Sequence, residues 1–385
     1  MMAELAKQDF VNMVIFVNPH VSIRNIFKRK NRNSHISFSV SDKLFPRKRT
    51  PNLWEYTPLH FLPFKGRFPK LELMETRMML QIIRRLNAHT PYILFMNCPN
   101  IFSQYLIDNL LKHAALSIFD FSDDFAELVC TQKGKDFFLH NITKYARAAD
   151  IVLTVNEHLK NKYSFLNPNT HVIRNATNYY NFDREHYASI PSLELIKKEK
   201  GPILGYSGIA NTTRIDCDLL DALLKKRPHW QYVFVGPADS AFTKKYAQYE
   251  NVHILPLVPY HSLPDYIRYF DVAMVPFAIN EHTRGNDLLK LHDYLAMGKP
   301  IVSTPIGGAT DLKKVIRIAQ GPSGFINEVE SALAGNSSEE ISRRKNVALR
   351  NSWHKRIDEV IELIQNSPGQ GYTGPPPFLM EQTAT

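Results

Sequence analysis

The feature that most constrains the fold is the alternation of short apolar runs with helical patterns along the chain. Runs such as 116–121 ("LSIFDF") and 231–236 ("QYVFVG") are mainly apolar and rich in β-branched and aromatic residues. Such runs are typical of strands buried on both faces of a parallel sheet. The predicted strands are 12–18, 35–40, 92–97, 116–121, 150–155, 202–207, 231–236, 251–256, 271–277 and 300–304. The predicted helices are 70–87, 101–114, 133–148, 216–227, 241–248, 262–269 and 287–297.

This alternation predicts an α/β fold with two Rossmann-like, doubly wound domains that face a cleft. The predicted division is a first domain at 1–185, a polar linker at 186–201, a second domain at 202–337, a closing helix at 338–366 and a disordered tail at 367–385. The tail is rich in Pro and Gly, which disfavours a packed structure.

Composition excludes several classes of protein. A hydrophobic content of 44% and a charged content of 22% are ordinary for a soluble globular protein. No run approaches the roughly 18–20 apolar residues of a membrane-spanning helix. The three cysteines, Cys98, Cys130 and Cys217, are too far apart in sequence to indicate a disulfide framework or a zinc site. We therefore expect a cytoplasmic protein with no metal site.

The net charge of +10 is concentrated in residues 24–70, which hold 12 basic and 2 acidic residues. A basic surface favours an anionic partner, such as a phosphate-rich substrate, an acidic membrane face or nucleic acid. The alternative is a solvated basic loop with no specific partner. A nucleic-acid partner is the least favoured, because the stretch lacks a recognisable binding module.

Two segments that follow predicted strands carry residues suited to binding an anion. In "GYSGIANTTR" (205–214), Gly208 allows a ligand to approach the backbone and Arg214 could contact phosphate. In "EHTRGNDLLKLHDYLAMGK" (281–299), Lys290 and Asp293 share one helix face. They form either a weak surface ion pair or a site in which the lysine binds diphosphate and the carboxylate binds sugar or ribose hydroxyls.

Two further segments are candidates for the same cleft. Gly236 and Pro259 lie in turns after strands, where they could frame a flat base or serve only as turns. Asp120 and Asp123, in "DFSDDF" (120–125), could orient an acceptor hydroxyl or cap the next helix. A metal-binding role for these carboxylates is the less favoured alternative.

The second half of the chain resembles the donor domain of GT-B glycosyltransferases, and is similar to the family 4 (glycosyl transferases group 1) retaining enzymes. The segment "NSWHKRIDEVIELI" resembles the helix that closes the fold in that family. Four segments carry the resemblance to the donor domain, and they occur in the same order as in the family. They are "GYSGIANTTR", "RPHWQYVFVGP", "NVHILPLVPYHSLPDYIRYFDVAMVPF" and "LLKLHDYLAMGKPIVSTPIGG".

The resemblance implies a nucleotide-diphosphate sugar donor and no cofactor. It implies that Gly208 and Lys290 lie at the diphosphate, with Arg214 a less certain contact, and that Asp293 replaces a glutamate that binds ribose hydroxyls. The family has a second glutamate eight positions earlier, where this chain has Gly285. Glu281 and Asp287 are nearby candidates for that missing carboxylate. Compared with the family, the first strand of the N-terminal domain is expected to be missing.

The implied activity is metal-independent transfer of a hexose, with retention, to a glycan or lipid-linked acceptor in cell-surface polysaccharide synthesis. Two alternatives remain open. One is a non-catalytic glycosyltransferase-like partner subunit, which Gly285 and the missing strand favour. The other is a nucleotide-sugar epimerase of the same fold. Our hypothesis for residues 24–70 is docking to an anionic membrane surface, which would place the protein on the inner face of the membrane.

Overall fold

The computed structural model describes residues 1–9, 11–17, 21–22, 46–57, 59–60, 69–87, 91–97, 104–129, 131–199 and 201–367. The predicted strand at 35–40, most of the basic stretch 24–70, Cys98, Cys130 and all of the predicted tail except Ser367 lie outside these ranges. Across the described ranges, no helix is long and apolar enough to cross a membrane. No group of His, Cys, Asp and Glu side chains in these ranges is arranged to hold a metal ion.

The first domain is built around a four-stranded parallel sheet of order β6-β7-β8-β9. A three-stranded sheet of order β1-β4-β3 and a two-stranded β2-β5 pair accompany it. The strands are β1 (Val14–Val17), β2 (Val21–Ser22), β3 (Arg47–Thr50), β4 (Leu53–Tyr56), β5 (Leu59–His60), β6 (Ile93–Met96), β7 (Leu116–Phe121), β8 (Ile151–Thr154) and β9 (Thr170–Val172). The helices are α1 (Met2–Leu5), α2 (Pro69–Asn87), α3 (Gln104–His113), α4 (Gln132–Ala148) and α5 (Glu157–Tyr163), the last followed by a 3₁₀ turn at Ser164–Leu166.

The second domain is a six-stranded parallel sheet of order β12-β11-β10-β13-β14-β15. Its strands are β10 (Ile203–Ser207), β11 (Gln231–Val235), β12 (Val252–Leu255), β13 (Val272–Val275), β14 (Ile301–Ser303) and β15 (Arg317–Ile318). Successive strands are added outward from β10 to β12 on one side and from β13 to β15 on the other, so the order in which strands are added changes direction between β10 and β13. In such sheets, ligands bind at the carboxyl ends of the strands at this point.

Helices of the second half cover both faces of this sheet. They are α6 (Tyr179–Phe182), α7 (Pro191–Glu199), α8 (Cys217–Lys226), α9 (Ser240–Tyr246), α10 (Leu263–Ile267), α11 (Glu281–Arg284), α12 (Leu289–Ala296), α13 (Gly307–Asp311), α14 (Gly321–Ala334), α15 (Ser338–Arg350) and α16 (Trp353–Asn366). A 3₁₀ turn at Tyr260–Ser262 precedes α10. Every residue of β10, β11 and β13 is buried, as the apolar runs predicted.

The predicted linker at 186–201 is instead partly structured. Helix α7 lies within it, and its Leu193 and Ile196 are buried in the core of the second domain. Tyr179 and Phe182 of α6 belong to the same core. The chain therefore enters the second domain between β9 and α6, several residues earlier than the predicted boundary at 185. The apolar residues of 179–196 pack on the second sheet, and the predicted division did not account for that packing.

The predicted closing helix at 338–366 is two helices. Helix α15 ends at Arg350 and α16 begins at Trp353, with the Ser352 hydroxyl accepting a hydrogen bond from the Lys355 backbone N–H. Ser352 interrupts the helix because it caps α16 and pairs with the backbone of Thr177. Helix α16 crosses back to the first domain, where Val360 and Ile364 pack against β7 and β8.

Candidate functional site

Two glycines form the floor of a crevice at the carboxyl ends of β10 and β11. Gly208 donates its N–H to the Val235 carbonyl at 2.8 Å and has a φ of +119°. Gly236 has a φ of +133°, and a Cβ atom there would lie 2.6 Å from the Gly208 carbonyl oxygen. Both positions therefore require glycine. Gly205, by contrast, lies within β10 and makes room for the Phe270 ring, not for a ligand.

Lys290 reaches from α12 across this floor. Its Nζ lies 3.7 Å from the Tyr206 ring centroid and 5.1 Å from that of Phe277. It would lie 2.9 Å from a Cβ atom on Gly208. Burial lowers the pKa of Lys290 well below its usual value, and the charge of Arg214 adds to that effect. The ammonium group makes no hydrogen bond or ion pair with any described residue, so the predicted alternative of a Lys290–Asp293 ion pair is wrong.

Arg214 is the second cation at the crevice. Its guanidinium lies 6.0 Å from the Phe277 ring centroid and makes no side-chain hydrogen bond within the described ranges. The next helix, α8, begins only at Cys217 and is capped by the Asp216 carboxylate, which accepts from the Leu219 N–H. The capped helix terminus therefore does not offer all its N–H groups to an anion. Two unneutralised cations, Lys290 and Arg214, give the crevice its positive charge.

Asp293 lies one helical turn beyond Lys290 and is buried. Its Oδ1 atom accepts hydrogen bonds from the Thr177 and Tyr260 hydroxyls, each at 2.8 Å. Its Oδ2 atom accepts none from the described residues. Burial raises the pKa of Asp293 to about 6, against the opposing effects of the two hydroxyls and the neighbouring cations. The carboxylate is thus held on one oxygen and has the other available for a ligand hydroxyl.

Tyr260 makes the contact that the sequence prediction assigned to its neighbour. Both residues are exposed, but the Tyr260 ring lies 5.3 Å from that of Phe182, centroid to centroid, and its hydroxyl reaches Asp293, whereas Pro259 only precedes the 3₁₀ turn. The structure therefore does not place the Pro259 side chain at the crevice. The turn after β12 contributes through its aromatic residue.

The two carboxylates predicted to compensate for Gly285 are both committed elsewhere. The Asp287 side chain is 0% exposed, accepts from the Asn175 backbone N–H at 2.8 Å and contacts His292 Nε2 at 3.2 Å. Glu281 is 49% exposed and pairs with Arg284 at 2.8 Å. Neither faces Lys290, so the structure does not support a donor-site role for either residue.

The structure separates the two aspartates predicted on the first-domain side. Asp123 accepts from Asn286 Nδ2 at 2.8 Å, and burial raises its pKa while the charges of His282 and Arg214 oppose the shift. Asp120 instead lies on the same face of β7 as Leu116, and this face of the strand packs against α16. Burial raises its pKa to about 6. Only Asp123 therefore lies with the crevice residues, and the predicted role for Asp120 is not supported.

Gly285 is packed directly against the first domain. A Cβ atom at this position would lie 3.1 Å from Asp124 Cβ and 3.2 Å from Leu159 Cδ2. Both distances are shorter than ordinary van der Waals contacts, so any side chain at this position would require Asp124 or Leu159 to move. The acidic group near this position, at the contact between the two domains (the seam), is Asp123 of the first domain.

Several residues of the site were missed by the sequence analysis. Both ring nitrogens of His282 are buried beside Asp123 without a hydrogen-bond partner in the described part of the chain, and burial lowers the pKa of this histidine. Thr177, Asn286 and Tyr260 were missed as well. The sequence signal closest to His282 is the capping box formed by Asn280 and Thr283, which predicts only where α11 begins.

Comparisons with known proteins show which proteins this chain resembles. Residues 213–342 match the family model for glycosyl transferases group 1. A curated relative is the putative teichuronic acid biosynthesis glycosyltransferase TuaH of Bacillus subtilis (strain 168), which is 24% identical over 201 residues. That alignment covers 50% of this chain and 50% of the relative, so the chain matches about half the length of TuaH.

Solved structures resemble the whole two-domain arrangement at low identity. Anabaena HepE in complex with UDP and glucose has a TM-score of 0.60 and 14% identity, covering 81% of this chain and 86% of that one. Sucrose-phosphate synthase from Thermosynechococcus elongatus has a TM-score of 0.63 and 13% identity, covering 91% and 98%. Residues 213–342 therefore match the glycosyl transferases group 1 family, in agreement with the predicted resemblance, and the chain as a whole has the two-domain fold of the GT-B glycosyltransferases.

Proposed function

We propose that this protein is a glycosyltransferase that takes a sugar from a nucleotide-diphosphate donor bound at the crevice. The observation that carries the proposal is the pair of unneutralised cations, Lys290 and Arg214, beside the close-packed backbone of Gly208. A diphosphate would neutralise both cations, and it would favour the protonated form of Lys290 that burial disfavours. The complexes of HepE with UDP and glucose support this choice of donor.

Breaking the bond between the sugar and the phosphate puts negative charge on the departing diphosphate. Lys290 and Arg214 stabilise that charge from fixed positions, which is the arrangement that lowers a transition state most effectively. In this proposal the two side chains supply the charge stabilisation and the transfer proceeds with retention, as the family resemblance implies. Asp293 accepts a hydrogen bond from a ribose hydroxyl through Oδ2.

On the acceptor side, we assign Asp123 to orienting the incoming hydroxyl group. Asn286 holds its Oδ1 atom, and Oδ2 accepts no hydrogen bond from the described residues. The loop of Asp123 belongs to the first domain, which faces the crevice across the seam. The name of TuaH, which refers to teichuronic acid biosynthesis, supports a glycan or lipid-linked acceptor and a role in cell-surface polysaccharide synthesis.

We also propose that the basic first domain docks to an anionic membrane from the cytoplasmic side. Within 24–70, the described strand β3 exposes Arg47, Lys48 and Arg49 on a sheet edge. Liposome flotation tests this proposal. Stronger binding to vesicles containing anionic lipid than to neutral vesicles is expected, and equal binding to both would contradict it.

The test of the donor site is a thermal-shift panel of UDP-, GDP- and ADP-sugars on wild type, Lys290→Ala and Lys299→Ala. Lys299 is a matched control, because burial also lowers its pKa but its ammonium donates to the Arg268 carbonyl outside the crevice. We expect one nucleotide class to stabilise wild type and Lys299→Ala but not Lys290→Ala. A panel with no shift for wild type would contradict the proposal.

Product analysis separates the alternatives. Transfer or slow donor hydrolysis by the stabilised protein supports the glycosyltransferase. Donor binding without any turnover would favour the non-catalytic partner subunit. Release of an epimerised free sugar without an acceptor would favour the epimerase.

A further inference from the structure

We propose that Thr177 is a positioning residue, which holds Asp293 in the orientation that binds the donor ribose and ties that orientation to the junction between the domains. This inference rests on the proposed function, because it takes the crevice to be a nucleotide-sugar site. Thr177 is fully buried and lies on the chain segment that leads from the first domain into the second.

The first part of the argument is the hydrogen bonding of the carboxylate. The Thr177 hydroxyl and the Tyr260 hydroxyl both donate to Oδ1 of Asp293. A carboxylate held on one oxygen by two donors from different chain segments cannot rotate freely. Its other oxygen, Oδ2, is thereby presented to a ligand in one direction. Loss of the Thr177 donor leaves Tyr260 alone, and the carboxylate can then turn about its bond.

The second part is the place of Thr177 in the chain. Its backbone N–H donates to the Asn351 carbonyl at 3.3 Å, and its carbonyl accepts from the Trp353 N–H at 3.1 Å. Residues 351–353 are where the chain crosses back from the second domain to α16 on the first. The two crossings between the domains therefore pair with each other at Thr177 and Ser352.

Together, these contacts join the donor carboxylate to the one place through which both interdomain segments pass. A change in the angle between the domains must disturb the backbone pairing of Thr177 and, through its side chain, the orientation of Asp293. Donor ribose recognition is therefore strongest when the junction has the geometry seen here.

The test compares a nucleoside diphosphate with its 2′,3′-dideoxy form, because only the former carries the hydroxyls that Asp293 would bind. Dissociation constants are measured by calorimetry for UDP and dideoxy-UDP, with GDP and ADP pairs included, on wild type, Thr177→Val and Thr177→Ser. Valine keeps the shape of the threonine side chain and removes its hydroxyl, whereas serine keeps the hydroxyl. Wild type is expected to prefer the natural nucleotide by about tenfold or more.

In Thr177→Val we expect that preference to fall to twofold or less, with the affinity for the dideoxy nucleotide changed by less than threefold. Thr177→Ser should retain the preference. A second variant, Tyr260→Phe, removes the other donor and should lower the preference in the same direction, which keeps the test available if Thr177→Val does not fold.

Three results would overturn the inference. If Thr177→Val and Tyr260→Phe keep the full preference, Thr177 does not position Asp293, while the proposed donor site stands. The same holds if both nucleotides weaken equally. If wild type binds none of the natural nucleoside diphosphates, the proposed function itself fails and this inference fails with it.

Discussion

The short segment from Asn286 to Asp293 has two sides that differ in how their polar groups are satisfied. On the side facing the first domain, Asn286 and Asp287 hydrogen-bond to partners more than a hundred residues away in sequence. On the side facing the crevice, the Lys290 ammonium has only aromatic rings beside it, and among the described residues neither it nor one oxygen of Asp293 has a hydrogen-bond or ion-pair partner. The first side stabilises the domain arrangement. The second keeps buried charge unpaired, which costs stability and is expected where a charged ligand completes the site.

The largest effect is expected from replacing Lys290, the cation on the crevice side that forms no ion pair. We expect Lys290→Met to reduce donor turnover roughly 10²–10³-fold, the usual effect of losing one group that stabilises developing negative charge. The free energy of unfolding should stay the same or rise, because the substitution removes a desolvated charge. Donor hydrolysis kinetics and urea unfolding measure the two quantities.

Lys299→Met is the matched control for that variant. It removes the hydrogen bond to Arg268, so unfolding should become easier by about 1 kcal/mol while turnover is unchanged. A loss of stability in Lys290→Met together with unchanged turnover would show that Lys290 stabilises the fold and does not act on the donor.

On the other side of the segment, Asp287→Ala should mainly affect stability. The variant leaves the Asn175 N–H and the buried His292 ring without their shared partner. We expect the free energy of unfolding to fall by about 3 kcal/mol, as measured by urea denaturation. Nucleotide affinity at temperatures where the variant is folded should change less than threefold. A folded variant that no longer binds nucleotide would show that the contact between the domains also determines nucleotide binding in the crevice.

Asp293→Asn should show how much the buried carboxylate on the crevice side lowers the stability of the protein, because that effect depends on pH. The pKa of Asp293 is raised from 3.8 to about 6 by burial. Between these values the unfolded chain has released the proton that the folded protein keeps, so stability falls as the pH rises through this window. We expect the asparagine variant to be more stable than wild type by roughly 1–3 kcal/mol at pH 7.5, with the difference shrinking toward pH 4.5.

The asparagine side chain can still accept from Thr177 and Tyr260, so this comparison isolates the charge. Unfolding curves in guanidinium chloride at several pH values provide the measurement. A difference between the two proteins that grows as the pH falls would be inconsistent with a raised pKa.

Gly208→Ala is expected to weaken nucleotide binding less than Lys290→Met reduces turnover. The φ of +119° disfavours any Cβ atom, and the added atom would meet the flexible Lys290 side chain. We expect a loss of about 1–2 kcal/mol in the free energy of unfolding, with roughly tenfold weaker nucleotide binding because Lys290 is displaced. Gly335→Ala is a control with ordinary φ, away from the crevice, and should bind nucleotide normally.

The fold followed from the sequence because apolar runs specify buried strands directly. The run at 116–121 coincides with β7, and the predicted strands that fall in the described ranges are all present, with ends that differ by one or two residues. The nearness of Gly208 and Lys290 followed from the rule that places ligands at strand ends. Other features depended on tertiary contacts. The partner of Asp287 is Asn175, and no local pattern predicts a contact across such a distance in sequence.

The division of the predicted closing helix into α15 and α16 is another feature that depends on tertiary contacts and could not be predicted from the sequence. Residues 338–366 have a continuous helical pattern, and Ser352 looks like one polar position within it. Its role as a cap and its pairing with Thr177 arise only when the chain crosses between domains. The orphaned ring of His282 is likewise invisible in sequence, because its surroundings come from both domains.

The crossing of α16 also bears on how the protein is made. Val360 and Ile364 complete the apolar cluster that contains Leu116 and Ile151, although more than two hundred residues separate them in sequence. During synthesis the chain emerges from its N-terminus, and domains tend to fold in that order. The first domain therefore begins folding early but exposes one apolar face of its sheet until residues 353–366 leave the ribosome. The domain that is synthesised first is thus the last to be completed.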